Sequence, residues 1–455
     1  MFRTIFIVLF SLFSSSPILA ENTNTALSDQ PLQPQSIHAA LLTEVTAKGQ
    51  KIAAVALEYE DNLLSGDELQ DLYQIDVFLD DTPLGKRQIL KAYSMDSAVL
   101  SSLPKSGKYI VLELNKQDEN ADLYSLKTEN NEPMSFRARN EENALITREI
   151  VQSNRVPEYY KVRLQYVIQQ KGMIKLSNGK TIAPNKIHIS AEPNNLKNSI
   201  IDQFQANQVH LTNPQNTLHY QLYKPQQSAV RKQYPLTIFL HGSGQLGTDN
   251  IAQLLSSKGA ISTLKYEDGF VLAPQYASVF DPFDDTTKGQ QGGVHWQTEN
   301  RRKLLLAMID KTIQENPEID TSRIYIVGLS RGAEGGLYLL LDRPDFFAAA
   351  LLMSGREAYT IEWLDGNATK ENLAPVNKTP IWFFHSKEDK VSPVAGSRIN
   401  YQIIAEQLKN PYVKYTEFSF NQLGDNGILN NNPHNTWDAV FNSPEAISWL
   451  LRQKR

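Results

Sequence analysis

The sequence predicts two folded domains in succession, a β-sandwich and then an α/β domain built on a mostly parallel sheet covered by helices. The chain has 455 residues, which is more than one ordinary domain contains. Short segments that alternate apolar and polar residues fill the region 47–192. Continuous apolar strands separated by amphipathic helices fill the region 217–455, and such strands are typical of a parallel sheet with both faces buried.

Composition argues against several classes of function. Hydrophobic residues make up 41% of the chain and charged residues 21%, as in a globular protein with a substantial core. The net charge is −5 and no basic run occurs, so we expect no nucleic-acid partner. The sequence has no cysteine, which removes disulfides, thiolate zinc sites and cysteine nucleophiles. Its eight histidines show no metal-ligand spacing, so we expect neither a metal nor a cofactor.

The first 20 residues have the pattern of a secretory signal peptide. Arg3 precedes the apolar run 5–13, and a region of small residues follows at 14–20. We expect cleavage after Ala20, and the bulky Ile18 leaves the exact position open. An uncleaved anchor is the alternative, but the apolar run is short for a bilayer. The sequence therefore predicts export to the periplasm or medium of a bacterial cell, with no membrane span after signal removal.

The β-rich half is predicted to be an immunoglobulin-like sandwich over residues 47–192, preceded by a flexible leader over 21–46. Asn178-Gly179 lies between apolar segments and marks a hairpin turn, because this dipeptide tolerates positive φ angles. The several short strands favour an immunoglobulin-like sandwich, although the Cys-Trp-Cys pattern of antibody domains is missing. Its strands are predicted at 52–59, 73–79, 109–114 and 161–168.

A connector over 193–216 is predicted to lead into the α/β domain of 217–455. The segment 300–316 carries apolar residues at helical spacing, so it is expected to bury one face. The predicted strands are 219–223, 235–240, 270–274, 324–327, 348–353, 380–384 and 413–418, and the predicted helices are 300–316, 332–341, 399–408 and 444–455.

The α/β half contains Gly328-Leu329-Ser330-Arg331-Gly332 between a predicted strand and a predicted helix. This context predicts that Ser330 lies on a sharp strand-to-helix turn with its hydroxyl exposed as a nucleophile. A serine hydroxyl reacts at neutral pH only when an imidazole takes its proton and a carboxylate fixes the imidazole tautomer. The motif by itself is also found in ordinary turns, so the chain has to supply these partners.

Two later loops supply them in the order Ser, acid, His. Asp389 follows the predicted strand 380–384, which places a carboxylate at the same sheet edge as Ser330. Glu388 is the competing acid, and a surface role is the alternative for either residue. His434 is the single histidine after Asp389, so it is the predicted base. His385 comes at the end of the strand before Asp389 and is interpreted either as a residue that supports the site without touching the substrate or as a strand-end residue.

Backbone N–H groups are predicted to bind the oxyanion. One belongs to Arg331 at the start of the helix, and the other to Ser243 in the loop His241-Gly242-Ser243-Gly244, with Gly242 and Gly244 as alternatives. An ordinary turn is the alternative for this loop. Two aromatic residues either line the substrate cleft or fill the core beside the loops: Trp296 and Trp437.

These motifs resemble the secreted prolyl-oligopeptidase-like esterases ("predicted peptidases") of the α/β-hydrolase class. The resemblance rests on Tyr234-Pro235-Leu236, the loop His241–Gly244, the Ser330 motif and His434-Asn435-Thr436-Trp437. It implies an α/β-hydrolase fold, an immunoglobulin-like N-terminal domain, and the nucleophile, acid and base roles for Ser330, Asp389 and His434. The chain departs from the family pattern at Ser386, where glycine is usual, at Gln245-Leu246, and at Arg331, which puts a cation near the pocket.

The sequence therefore predicts an exported serine hydrolase that cleaves carboxylic esters through a Ser-His-Asp triad and an acyl-enzyme. A peptidase or a polysaccharide (acetyl or feruloyl) esterase with the same triad is one alternative. A binding or adhesion protein with a vestigial hydrolase domain is an alternative of another class. The expected partner is a small-molecule or polymer-linked ester. The acyl and alcohol groups and the oligomeric state are left open.

Overall fold

Two mostly antiparallel sheets face each other in the N-terminal half. In Tyr73–Leu79 the buried residues alternate with half-buried ones, as expected for a strand with one face on a core. One sheet contains, in spatial order, Leu196–Lys197, His38–Thr46, Gly49–Glu58, Tyr109–Leu114 and Ile89–Met95. The other contains Asn185–Ser190, Leu164–Gln170, Tyr73–Leu79 and Thr82–Lys86. The computed structural model describes residues 37–64, 69–130, 134–139, 145–150, 153–159, 163–226, 233–284, 295–359, 368–425, 429–430 and 432–455.

The central strand Gly49–Glu58 is buried over nearly all its length because apolar residues cover both of its faces. Ile52, Val55 and Leu57 face the core between the sheets. Ala54 and Ala56 belong to a smaller cluster on the outer face. The sandwich and the strands predicted at 73–79 and 109–114 are confirmed. The strands predicted at 52–59 and 161–168 are observed as Gly49–Glu58 and Leu164–Gln170.

The predicted leader and connector differ from the structure. The strand His38–Thr46 lies inside the predicted leader and pairs antiparallel with Gly49–Glu58, and its buried Leu41, Leu42 and Val45 explain why it folds. Within the predicted connector, Leu196–Lys197 joins the sandwich, whereas Gln205–His210 joins the sheet of the α/β half. The predicted signal peptide 1–20 and residues 21–36 of the leader lie outside the described residues.

A long hairpin that the sequence pattern does not predict extends from the sandwich. Tyr124–Asn130 pairs with Ser153–Tyr159, and Met134–Arg139 pairs with Leu145–Ile150. The predicted Asn178-Gly179 turn is confirmed, because Ile174–Lys175 pairs with Thr181–Ile182 and Gly179 has a φ of 88°.

The α/β half is organised around one eight-stranded sheet. Its first two pairings are antiparallel and the other five are parallel. In spatial order the strands are Gln205–His210, Thr217–Tyr223, Phe270–Gln275, Tyr234–Leu240, Ile319–Leu329, Ala349–Met353, Ile381–Ser386 and Val413–Phe418. The two short strands Gln422–Leu423 and Leu429–Asn430 pair separately.

Helices cover both faces of this sheet, because alternate residues of its central strands point to opposite sides. One apolar cluster contains Ile238 and Ile326, and the cluster on the other face contains Phe239 and Val327. The first face is covered by Glu299–Glu315, Arg331–Asp342 and Val394–Gln402, which continues as the π-helical Ile403–Gln407. The second face is covered by Ala252–Leu255, Trp437–Phe441 and Pro444–Arg452.

Short 3-10 helices occupy several of the connections. They are Leu69–Leu72, Glu119–Ala121, Pro193–Asn195, Ile201–Gln203, Ser243–Gln245, Gly259–Ile261, His295–Gln297 and Ala374–Val376. Val45 and Tyr124 of the sandwich belong to the same buried cluster as Leu254 and Leu255, so the two halves share part of a core. Within the described ranges, none of the helices has both the length and the apolar character needed to cross a bilayer.

Candidate active site

Ser330 lies on the sharp turn that its motif predicts. The strand Ile319–Leu329 ends directly before it, and the helix Arg331–Asp342 begins directly after it. The backbone of Ser330 has a φ of 51° and a ψ of −119°, a strained conformation for a residue with a side chain. A Cβ atom on Gly332 would overlap the carbonyl oxygen of Leu240, and one on Gly328 would overlap that of Gly332. The turn therefore requires glycine at both positions.

Three of the residues predicted from the sequence meet at the carboxyl ends of the parallel strands. The Oγ atom of Ser330 lies 3.0 Å from Nε2 of His434. Nδ1 of His434 lies 2.8 Å from Oδ2 of Asp389. Since a carboxylate only accepts, Nδ1 carries the proton and Nε2 is the acceptor for the Ser330 hydroxyl. The three side chains thus form one directed chain of hydrogen bonds.

Asp389 is held by four donors. Its Oδ1 atom accepts from the backbone N–H groups of Val391 (2.8 Å) and Ser392 (3.0 Å). Its Oδ2 atom accepts from His434 and also from Nε2 of His385 at 3.1 Å. Burial alone would raise the pKa of Asp389, but the hydrogen bonds from His385 and His434 outweigh burial and lower the pKa to about 2. The carboxylate is therefore ionised throughout the neutral range.

Glu388, the competing acid, points elsewhere. Its exposed carboxylate accepts from the hydroxyl of Ser386 (3.1 Å) and from the backbone N–H of Phe420 (3.0 Å). Because these partners hold Glu388 on the outer side of the loop, Asp389 is the acid that contacts His434. The serine that replaces the usual glycine at position 386 binds this outer acid and does not disturb Asp389.

The loop that carries His434 is held by a contact between Thr436 and Ser354 that the sequence pattern does not predict. The hydroxyls of Thr436 and Ser354 lie 2.8 Å apart and both residues are fully buried. Ser354 follows the strand Ala349–Met353 and has a φ of 53°. The strand before Ser354 lies between the strands that precede Ser330 and Asp389. Polar side chains at that sheet edge face the site, so this position in the sequence could have identified Ser354 as a site residue.

Hydrogen bonds between Asn435 and Asp438 also hold the loop that carries His434. The side chain of Asn435 donates to Oδ2 of Asp438 (2.6 Å) and accepts from the backbone N–H of Asp438 (3.2 Å). Among the described residues, the buried Oδ1 atom of Asp438 has no hydrogen-bond partner. Burial raises the pKa of this carboxyl to about 7.

We expect Asp438→Asn to stabilise the protein at alkaline pH. The folded pKa of Asp438 lies above its ordinary value, so ionisation makes the wild type less stable as the pH rises from about 4 through about 7. Asparagine keeps an acceptor for Asn435 and carries no charge. The melting temperature of the variant should exceed that of the wild type by a few degrees near pH 8, and by less near pH 5. Asp81→Asn, at an exposed turn, is the control. An equal difference at both pH values would contradict the prediction.

The loop His241–Gly244 packs directly on the serine. A Cβ atom on Gly242 would lie 2.7 Å from the Leu329 side chain and 3.2 Å from Cβ of Ser330. Gln275 braces the loop from the neighbouring strand: its amide nitrogen donates to the carbonyl of Gln245 (2.9 Å) and to Asp249 (2.8 Å). The backbone of this loop therefore runs beside the first turn of the helix that Arg331 begins, as an oxyanion site requires.

Gly242→Ala tests this packing. The methyl group would push the loop away from Ser330, so the backbone N–H of Ser243 would move relative to the reacting carbonyl. Loss of one oxyanion donor typically lowers kcat by about two to three orders of magnitude. We expect a fall of about 100-fold in kcat with KM nearly unchanged, measured with a p-nitrophenyl ester. Gly179→Ala, at an exposed turn of the sandwich, is the control: its φ of 88° makes alanine costly for stability there, but kcat should stay at the wild-type value. Wild-type kcat in Gly242→Ala would contradict the packing argument.

The remaining predicted residues take different positions. Trp296 is fully buried, and its indole N–H donates to the carbonyl of His241 at 2.9 Å, so it fills the core and supports the strand end. Trp437 is half-buried, with its ring edge-on to His434 at 5.3 Å, and stays a cleft candidate. The Arg331 side chain is buried and donates to the buried Glu334 at 3.0 Å, which partly compensates its charge.

The N-terminal half reaches the same region. The backbone of Ser153–Tyr159, in the long hairpin, lies beside the turn Ser243–Gln245. The sandwich therefore contacts the α/β half next to the candidate site. Within the described ranges, no group of three or more His, Asp or Glu side chains is placed to hold a metal ion.

Two family models match the chain. The model described as Esterase Ig-like N-terminal domain matches residues 38–183. The model described as Putative esterase matches residues 212–395. No curated protein sequence matches.

Solved esterase structures are similar to the chain. A thermostable esterase is 27% identical, with a TM-score of 0.68 over 92% of this chain and 99% of that one. An esterase from Pyrococcus furiosus is 17% identical, with a TM-score of 0.35 over 56% of this chain and 94% of that one. A ferulic acid esterase from Anaeromyces mucronatus, solved with ferulic acid, is 14% identical, with a TM-score of 0.40 over 55% and 90%.

The mostly parallel sheet, its helices and the meeting of the three side chains at its carboxyl edge are those of the α/β-hydrolase class. The chain is an esterase with an immunoglobulin-like N-terminal domain, and it acts on carboxylic esters.

Proposed function

We propose that the protein is an exported serine esterase that works through Ser330, His434 and Asp389 and an acyl-enzyme intermediate. The observation that carries the proposal is the continuous hydrogen-bond chain from Asp389 through His434 to Ser330, on a strained strand-to-helix turn. A buried carboxylate and an oriented imidazole are the groups that activate a serine hydroxyl.

In the acylation step, Oγ of Ser330 attacks the ester carbonyl carbon while Nε2 of His434 takes the hydroxyl proton. The resulting imidazolium is stabilised by the ionised Asp389, which stays deprotonated. The negative charge on the former carbonyl oxygen is bound by backbone N–H groups, with Arg331 and Ser243 as the proposed donors and Gly242 or Gly244 as the alternatives. The start of the helix Arg331–Asp342 adds a favourable field for this charge.

The tetrahedral intermediate then expels the alcohol, which receives the proton from His434, and the acyl group remains on Ser330. In the second half of the reaction His434 takes a proton from water, and the hydroxide attacks the acyl-enzyme. His434 then returns that proton to Oγ of Ser330 as the bond from Oγ to the acyl carbon breaks and the carboxylic acid leaves.

Pre-steady-state kinetics test the acyl-enzyme. With p-nitrophenyl acetate, we expect a burst of p-nitrophenol equal to about one equivalent of active sites, because acylation of Ser330 by an activated ester outruns deacylation. A linear time course from the first turnover, at enzyme concentrations where one equivalent is detectable, would contradict an accumulating acyl-enzyme.

A substrate panel separates the esterase proposal from the peptidase alternative. Acetyl, butyryl and feruloyl esters should be hydrolysed. Prolyl peptides and peptides with a free N-terminus should not be hydrolysed. The likeness to prolyl-oligopeptidase-like enzymes stays a prediction.

Export through the signal peptide 1–20 is tested by the N-terminal sequence of the protein recovered from the periplasm or medium, which should begin near Glu21. A cytoplasmic protein that retains Met1 would contradict export.

A further inference from the structure

We propose that His385 is a positioning residue for ester hydrolysis: it holds Asp389 in place and limits how strongly Asp389 binds the proton of His434. The inference rests on the proposed triad and extends it by one further histidine. A strand-end interpretation of His385 does not account for its contacts, since both of its ring nitrogens bind groups that shape the acid loop.

The His385 ring is fully buried and bonded at both nitrogens. Its Nε2 atom lies 3.1 Å from Oδ2 of Asp389 and 2.9 Å from the carbonyl oxygen of Ser392. Its Nδ1 atom lies 2.7 Å from the hydroxyl of Ser397, which is itself buried on the helix Val394–Gln402. The ring therefore joins the acid strand, the acid loop and the following helix.

The partners of this ring determine its tautomer. A carboxylate and a peptide carbonyl both accept, so Nε2 of His385 must carry a hydrogen and share it between Asp389 and Ser392. The hydroxyl of Ser397 can then donate to Nδ1 at 2.7 Å, a shorter contact than its 3.4 Å distance to the carbonyl oxygen of Gly355. The result is one directed chain of hydrogen bonds through Ser397, His385 and Asp389, which meets the chain from Ser330 and His434 at a single oxygen atom.

The shared oxygen has a chemical consequence. Oδ2 of Asp389 receives two N–H groups, one from His385 and one from His434. The donor from His385 withdraws part of the negative charge, so the carboxylate attracts the His434 proton less than it otherwise would. It also prevents rotation of the carboxylate, because Oδ1 is fixed at the same time by the N–H groups of Val391 and Ser392.

Other charged groups are near but do not replace this contact. Arg356 reaches the acid loop through a bond from Nη2 to the carbonyl of Val391 at 3.1 Å. Arg398, on the helix that carries Ser397, pairs with Glu417. The charged or titratable groups on the elements packed against His385 are Arg356, Glu357, Lys387, Glu388, Asp389, Lys390, Arg398, Tyr401, Lys414, Tyr415, Glu417 and His434. In the part of the chain that the structure describes, Asp389 is the charged group among these that bonds the His385 ring.

Two variants separate positioning from simple core packing. His385→Phe keeps a buried ring and removes both nitrogens, whereas His385→Gln keeps an N–H near the position of Nε2. We expect kcat to fall about 10- to 100-fold in the Phe variant with KM unchanged, because a misplaced supporting group costs about this much. The Gln variant should stay within about threefold of the wild type.

The pH profile of kcat/KM is the readout that a purely structural role would not change. In His385→Phe the carboxylate is less neutralised and holds the His434 proton more tightly, so the midpoint of the acid limb should move up by about half a pH unit. In His385→Gln the midpoint should match that of the wild type. Circular dichroism and the melting temperature confirm that each variant is folded before its kinetics are compared.

The inference is overturned if folded His385→Phe has wild-type kcat and an unchanged midpoint, or if both variants lose activity equally with no movement of the midpoint. Ser330→Ala, assayed in parallel, separates this failure from failure of the proposed function. If Ser330→Ala retains activity, the triad and the role of His385 fall together. If Ser330→Ala is inactive and His385→Phe behaves as the wild type, the role of His385 alone is wrong.

Discussion

Ser330→Ala is expected to lower kcat by about a millionfold, the largest effect of any single change in the molecule. Alanine removes the one oxygen that attacks the ester and leaves the turn, the helix and the oxyanion donors in place. Residual activity should come from substrate binding and the oxyanion site alone. Steady-state hydrolysis of p-nitrophenyl butyrate, with unfolding monitored in parallel, measures the effect.

Ser354→Ala is the matched control for this change. Ser354 also follows a parallel strand, is also buried and also has a positive φ, but its hydroxyl bonds Thr436 instead of His434. We expect it to lower kcat by less than about 30-fold, through a looser His434 loop. A Ser330→Ala variant that keeps more than about a thousandth of wild-type kcat would contradict a nucleophilic role.

Asp389→Asn is expected to lower kcat by about 10⁴-fold. The site of Asp389 accepts four N–H groups, two on each oxygen. An asparagine has one NH2 group, which would face two donors in either orientation. If NH2 takes the place of Oδ2, it donates to Nδ1 of His434 and fixes the wrong tautomer, so Nε2 no longer accepts from Ser330.

Glu388→Gln is the matched control for the acid. Glu388 is adjacent in sequence, exposed, and bonded to Ser386 and Phe420 on the outer side of the loop. We expect the kcat of Glu388→Gln to stay within about twofold of the wild-type kcat, because surface substitutions away from a site have small effects. Measurement of both variants with the same ester decides between the two acids, and a larger loss in Glu388→Gln would reverse the assignment.

Much of the α/β half is predictable from the sequence because its signals are local. The Ser330 turn follows from two glycines that no side chain can replace, and the apolar strands follow from burial on both faces. The meeting of Ser330, Asp389 and His434 is predictable as well, since residues after parallel strands share one edge of the sheet.

Other features depend on contacts that the local pattern does not contain. The role of His385 depends on the contacts of its ring with Asp389 and Ser392. The sequence does not show that these two residues lie against the strand that carries His385. Whether Trp296 fills the core or lines the cleft is decided by the hydrogen bond from its indole N–H to the carbonyl of His241. The hairpin that begins at Tyr124–Asn130 is set by register between segments distant in sequence, which alternation alone does not determine.

The central claim is that Ser330 becomes covalently acylated during ester hydrolysis. A fluorophosphonate probe, followed by proteolysis and mass spectrometry, tests it most directly. We expect one adduct per chain, on the peptide that contains Ser330, and none in Ser330→Ala. An unlabelled wild type that still hydrolyses esters, or an adduct at another residue that persists in Ser330→Ala, would contradict the account.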